Sequence, residues 1–293
     1  MEPGDFIIPS PLEKYTIPFL NRAIWFKRDD LIHPILSGNK WRKLKYSFAD
    51  FSNSNKKRIV SKATVYSNYS HALAYYCYQQ NIPLLLYVPI SYNDSATHAD
   101  LKKWGTELIY LSRKEWNHWN FVDIDSNETD YFIPYGGSLL FASQAYCEMM
   151  MELPFGFDDK KTVILTASGT QIGLKAMLMS TKHVRFLCLA AVESAEKLIH
   201  PRVYYISNEK IPAYGKYNSE MMDEIISFYS STNVLLDPLY TGRLYYGLQN
   251  QAEFLKLFDT VYFLHTGGLQ SWRDYNQRHK LKPFFDAKFS DFQ

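Results

Sequence analysis

Thr162-Val163-Ile164-Leu165-Thr166-Ala167-Ser168-Gly169-Thr170-Gln171-Ile172-Gly173-Leu174-Lys175-Ala176 is the stretch that decides the fold. An apolar, β-forming run enters a Ser-Gly-Thr turn, and the residues beyond it keep helical spacing. The pattern reads as a buried strand delivered through a tight turn into a helix. The same grammar recurs along the chain. Strand-like runs lie at residues 23–26, 58–65, 83–88, 106–111, 162–167, 184–190, 202–206, 234–236 and 260–264. Helix-like stretches lie at 42–51, 70–80, 96–104, 137–153, 171–180, 219–229, 244–258 and 271–277. Short buried strands alternating with amphipathic helices predict an α/β fold with mainly parallel twisted sheets flanked by helices. Such sheets gather ligands at the carboxyl ends of their strands, so the strand-to-helix junctions are where function is sought.

Composition narrows the classes. The 293 residues suit one large or two modest domains, and 46% hydrophobic with 21% charged residues is ordinary for a globular chain. The 32 basic and 30 acidic side chains leave a net charge of +2, with no basic stripe, so no nucleic-acid partner is expected. Cys77, Cys147 and Cys188 are too few and too scattered for a disulfide framework or a thiolate metal site. No apolar run approaches the ~18 residues of a membrane span. The opening Met1-Glu2-Pro3-Gly4-Asp5 lacks the basic-then-apolar order of a signal peptide, and a cytoplasmic location is expected.

Four junctions carry chemistry. In Gly38-Asn39-Lys40-Trp41-Arg42-Lys43, preceded by Lys27-Arg28-Asp29-Asp30, a lysine follows a Gly-Asn turn and opens a helix. Neighbouring cations lower such an amine's pKa and make it a nucleophile towards an aldehyde; an ordinary basic first turn accounts for the same residues. In Tyr66-Ser67-Asn68-Tyr69-Ser70-His71 a strand ends in hydroxyl and amide groups, suited either to an anion or to simple N-capping. The Ser168–Gly173 turn presents backbone N–H groups to a phosphate, without the spacing of a nucleoside-triphosphate or dinucleotide loop. Lastly, Asp237-Pro238-Leu239-Tyr240-Thr241-Gly242 and His265-Thr266-Gly267-Gly268 are turns able to approach a planar ligand, or plain tight turns.

Taken in order, these motifs resemble one family. It is the 1-aminocyclopropane-1-carboxylate deaminase and D-cysteine desulfhydrase group of fold-type II pyridoxal 5′-phosphate enzymes, relatives of the tryptophan synthase β chain. The matching motifs run from Lys27 to Leu269. The resemblance implies a lyase or deaminase eliminating from a small amino acid, desulfhydrase-like, with D-cysteine giving pyruvate, ammonia and sulfide. Lys40 would be the Schiff-base lysine and proton shuttle. Asn68 would meet the cofactor's phenolic oxygen, and Ser67 with Asn68 and Tyr69 the substrate carboxylate. Ser168, Gly169, Thr170, Gln171, Ile172 and Gly173 would cradle the phosphate. Thr266 would face the pyridine nitrogen without holding it protonated, which favours elimination. Tyr240 and Tyr214 would act as acid, base or positioning groups. The resemblance also implies a larger cofactor domain, residues 1–51 plus 145–293, a smaller closing domain, 52–144, and a homodimer.

The chain departs from the family pattern at several places. Tyr69 stands where a histidine is usual, and Gln171 and Ile172 where small residues are. Gly173 replaces a threonine, Tyr135 an acidic residue, and Thr241 the glutamate of ring-opening deaminases. Altered phosphate affinity is therefore expected, and Thr241 tilts the reading towards desulfhydrase chemistry. The other reading kept is a degenerate relative that binds the cofactor or an amino acid with little turnover.

Overall fold

A computed structural model describes residues 6–36, 38–90, 95–118, 128–154, 159–192, 197–207 and 209–281; Ser37 of the lysine turn lies outside them. The strands are β1 (Leu12–Ile17), β2 (Arg22–Arg28), β3 (Arg58–Lys62), β4 (Leu84–Pro89), β5 (Glu107–Leu111), β6 (Asp130–Ile133), β7 (Thr162–Ser168), β8 (Arg185–Ala190), β9 (Val203–Tyr205) and β10 (Thr260–His265). The helices are α1 (Gly38–Ser52), α2 (Asn68–Gln79), α3 (Ala96–Lys103), α4 (Arg113–His118), α5 (Leu139–Met151), α6 (Ile172–Met179), α7 (Ser219–Thr232), α8 (Thr241–Gly247), α9 (Ala252–Leu255) and α10 (Ser271–His279).

Two sheets result. The larger runs β1-β2-β10-β7-β8-β9, and the smaller runs β5-β4-β3-β6. Every pairing is parallel except β1 with β2. The α/β expectation therefore holds. In β7 every residue is buried, which is why its sequence is an unbroken apolar run: a central parallel strand is covered on both faces. One core cluster, including Phe26, Leu165, Phe263 and Trp272, covers one face of the large sheet. Another, including Tyr146, Ile164, Leu174 and Tyr262, covers the opposite face. A third joins Leu44 and Phe48 of α1 to Ile59, Leu73 and Leu86 around the small sheet.

The register positions the site. β10 pairs with β7 through Phe263 opposite Leu165, and with β2 through His265 opposite Arg28. The turns after Arg28, Ser168 and His265 therefore leave along one edge of the sheet.

Some elements differ from expectation. Residues 234–236 form no strand, although Val234, Leu235 and Leu236 are buried. The carbonyls of Leu235 and Leu236 are satisfied by side chains instead: His265 Nε2 lies 2.7 Å from Leu235 O, and Trp272 Nε1 donates to Leu236 O at 3.0 Å. The helix expected over 244–258 is broken into α8, a 3₁₀ turn at Leu248–Asn250 and α9. Strand β1, on the sheet edge with mixed burial, and short β6 carry too little periodicity to be read from sequence.

Candidate active site

Lys40 lies in the first turn of α1, and the conformation that places it depends on Gly38. This glycine has φ +64°, and a Cβ there would lie 1.9 Å from Thr266 O. Asn39 N donates to the same carbonyl at 3.3 Å. The lysine turn is thus locked against the turn that follows β10. That second turn is held by His265, wholly buried, whose Nδ1 accepts from Gly267 N at 3.3 Å. The acceptor role at Nδ1 leaves Nε2 to donate to Leu235 O, an assignment made from the hydrogen-bond network.

The third turn arrives from the small sheet. Ser67 caps α2, its Oγ accepting from Tyr69 N at 3.0 Å. Asn68 Oδ1 accepts from Gln270 Nε2 at 2.6 Å, which ties α2 to the start of α10 and fixes the amide so that Nδ2 is its remaining polar group. The fourth turn, Ser168–Gly173, follows the central strand. Gln171 takes a left-handed conformation, φ 59°, that is unfavourable for a side-chain-bearing residue. It is held there by its own side chain, whose Oε1 accepts from Leu198 N at 2.9 Å and Tyr205 Oη at 3.0 Å.

These turns enclose one cavity of about 650 Å³. Of the residues singled out from sequence, Lys40, Ser67, Asn68, Tyr69, Ser168, Gly169, Thr170, Gln171, Gly173, Tyr240 and Thr266 line it. Ile172 and Tyr214 do not line it directly. Tyr214 reaches it through Tyr240, with the two hydroxyls 3.1 Å apart. The Tyr69 phenol lines the wall but turns its hydroxyl to Ser61 Oγ, at 2.9 Å, and to Pro134 O, at 3.3 Å. Thr241 faces away. It is fully buried and its hydroxyl serves Asp237, donating to Oδ2 at 2.5 Å and accepting from Asp237 N at 2.9 Å.

Electrostatics set Lys40 apart. Burial, and then the neighbouring Lys43 ammonium, outweigh attraction to Asp237 and bring its pKa down to about 7. Burial lowers Lys43 to about 8. Burial also raises the phenols of Tyr240 and Tyr214, so both are neutral proton donors near pH 7. The Lys-Arg-Asp-Asp motif proves to be scaffolding. Arg28 Nε and Nη2 donate to Asp30 at 2.9 and 2.7 Å. Arg42 Nε and Nη2 donate to Asp29 at 2.6 and 2.7 Å, and Arg42 Nη1 donates to Glu152 at 2.9 Å.

Sequence reasoning missed several lining residues: Tyr146, Lys175, Lys197 and Leu198. Tyr146 has the helical spacing of any core residue, and Lys197 and Leu198 follow the phosphate turn by more than a strand. Nothing local marks them.

An amine brought to about 7, facing across one cavity a turn with helix N–H groups, defines a site for a phosphorylated aldehyde. The donors present fit such a group: Gln171 Nε2 is buried with no hydrogen-bond partner, beside the turn that would hold the phosphate. A family model described as pyridoxal-phosphate dependent enzyme matches residues 4–267. The chain belongs to that family, and its cofactor is pyridoxal phosphate. Curated relatives include the mitochondrial bifunctional D-cysteine desulfhydrase/1-aminocyclopropane-1-carboxylate deaminase of Arabidopsis thaliana, 25% identical over 89% of this chain and 77% of the relative. Another is the D-cysteine desulfhydrase of Yersinia enterocolitica, 25% identical over 88% of this chain and 91% of the relative. Among solved structures, an ACC deaminase homologue superposes with a TM-score of 0.76 at 21% identity, covering 93% of this chain and 94% of its own. The fold is that of the fold-type II enzymes.

Proposed function

We propose that this chain is a lyase that eliminates the β-substituent of a small amino acid, desulfhydrase-like, converting D-cysteine to pyruvate, ammonia and sulfide. The observation that carries it is Lys40: an amine brought to about 7 faces the same cavity as the Ser168–Gly173 turn and Thr266. The names of the Arabidopsis and Yersinia relatives support the choice of substrate.

The cofactor, when bound, supplies the electron sink for charge developing at the substrate α-carbon. Lys40 Nζ would hold the cofactor's aldehyde carbon and would serve as the base for the substrate α-proton. Asn68 Nδ2 would donate to the cofactor's ring oxygen, and the backbone of residues 168–173 would hold its phosphate. Ser67 Oγ, already an acceptor for Tyr69 N, keeps its own proton to donate to the substrate carboxylate, beside Asn68 and Tyr69. Thr266 would offer the pyridine nitrogen a hydroxyl, which would not hold that nitrogen protonated. Tyr240, with Tyr214 behind it, gives a proton to the leaving sulfur. The test is sulfide and pyruvate release from D-cysteine by the purified protein. Visible cofactor absorbance should vanish in Lys40→Ala. A yellow protein that releases no product from D-cysteine, D-serine or the cyclopropane amino acid would overturn turnover and leave a binding protein.

Three further parts belong to this reading. The unit around the small sheet, residues 52–144, closes over the substrate against the remainder, 1–51 plus 145–293; scattering that shows no contraction with substrate would count against it. The chain pairs as a homodimer. Leu140 and Met179 are exposed on neighbouring helices, where Ser143 Oγ reaches Met179 Sδ, and they offer an apolar face; a monomer mass by light scattering would reject this. The location is cytoplasmic, a reading supported by three unpaired cysteines, and fractionation to an organelle would refute it. Among the described residues no helix is long and apolar enough to cross a membrane.

A further inference from the structure

The start of α6 has a gap in its own chemistry that another helix fills. Gly173, the second residue of α6, contributes no side chain to the phosphate turn. Its missing Cβ is not open space. A Cβ there would lie 2.6 Å from Tyr146 Oη and 3.0 Å from Tyr146 Cζ. The phenol of Tyr146, carried by α5, therefore occupies the place of a side chain at residue 173.

The state of that phenol points to a ligand. Tyr146 is only 3% exposed, and its ring is packed among Leu174, Met177 and Met149. It nevertheless lines the cavity, and its hydroxyl makes no hydrogen bond to any described residue. The ring is buried while the hydroxyl is left open to the cavity, free to meet whatever occupies it. Here it sits beside the free N–H groups at the start of α6, where the helix dipole favours an anion. Burial raises its pKa, so the hydroxyl keeps its proton and can donate. Thr170, a hydroxyl of the phosphate turn, lines the same cavity.

We propose that Tyr146 Oη is a phosphate ligand of the bound cofactor, a donor supplied from α5 in place of a side chain at Gly173. The assignment rests on the proposed function, in which the Ser168–Gly173 turn holds the phosphate. It also explains why a glycine is tolerated at residue 173: any larger residue would collide with the donor that replaces it. Gly173 and Tyr146 form one unit, and neither is intelligible alone.

The experiment uses cofactor-free protein and two aldehydes, pyridoxal phosphate and pyridoxal, with binding followed by absorbance and by quenching of tryptophan fluorescence. Tyr146→Phe keeps the ring and removes only the hydroxyl. It should weaken pyridoxal phosphate on the order of ten-fold, about 1.4 kcal/mol, and leave pyridoxal unchanged. Inorganic phosphate should protect the site against pyridoxal, whose affinity is unchanged, less well in the variant by a similar factor. Unchanged affinity for pyridoxal phosphate, or an equal loss for both aldehydes, would overturn the assignment; uptake of pyridoxal also shows that the variant is folded. Failure of the wild-type protein to take up either aldehyde would instead overturn the proposed function, and this inference with it.

Discussion

Lys40 stands where burial and a neighbouring ammonium both favour the neutral amine, and the cost of charging it shows in its lowered pKa. The sign gives a pH dependence. An ordinary lysine gains neutral fraction up to its usual value of about 10.4, whereas Lys40 is half neutral near pH 7. Cofactor uptake by the empty protein should therefore rise with pH to about 7 and level off above it, as read by stopped-flow absorbance. A rise continuing to pH 10 would mean that the amine is solvated. The lysine itself is legible in the sequence, because a Gly-Asn turn opening a helix is a local pattern. Its neutrality is not, since Lys43 and the enclosing turns act on it through space. The same holds for Tyr69, which stands where a histidine is usual and whose phenol turns to Ser61 and Pro134 in the fold.

Among elements, the Gly38 and Thr266 turns form the tightest junction. Gly38→Ala forces a Cβ against Thr266 O and asks a left-handed backbone of a residue that disfavours it. The expected cost is about 3 kcal/mol in urea unfolding, from overpacking and strain together. Cofactor capture should fall with it, because both turns line the site. An alanine variant with wild-type stability would show that the turns part easily. At this scale the sequence speaks through periodicity, and most strands and helices follow it. It fails at residues 234–236, where apolar character signals burial and strand formation alike. Only the arrival of His265 and Trp272 to satisfy Leu235 and Leu236 decides between them.

Across the whole molecule, a buried ion network joins β2, the lysine helix α1 and the end of α5. Arg42 bridges Asp29 and Glu152, and Lys27 pairs with Glu152. Burial pushes the Glu152 carboxyl up, but Arg42 and Lys27 outweigh it and hold the group below its ordinary value. A depressed carboxylate stabilises the fold above its unfolded pKa of about 4.3, and that contribution is lost as pH falls through the lower folded value. Glu152→Gln should cost about 3 kcal/mol near neutrality, because it leaves Arg42 and Lys27 undercompensated. Its stability should then fall less steeply than that of wild type on acidification. Equal slopes in acid would remove Glu152 from the network's account. By itself, the sequence determined the α/β alternation, the turns at strand ends and the ordered motifs that carry the family resemblance, since each is written within a few neighbouring residues. Only the tertiary structure decided that the Lys-Arg-Asp-Asp run is scaffolding, that Thr241 turns inward, and that Tyr146 stands against Gly173. Those facts depend on packing between segments far apart in the chain, and no local spacing encodes which side chains meet.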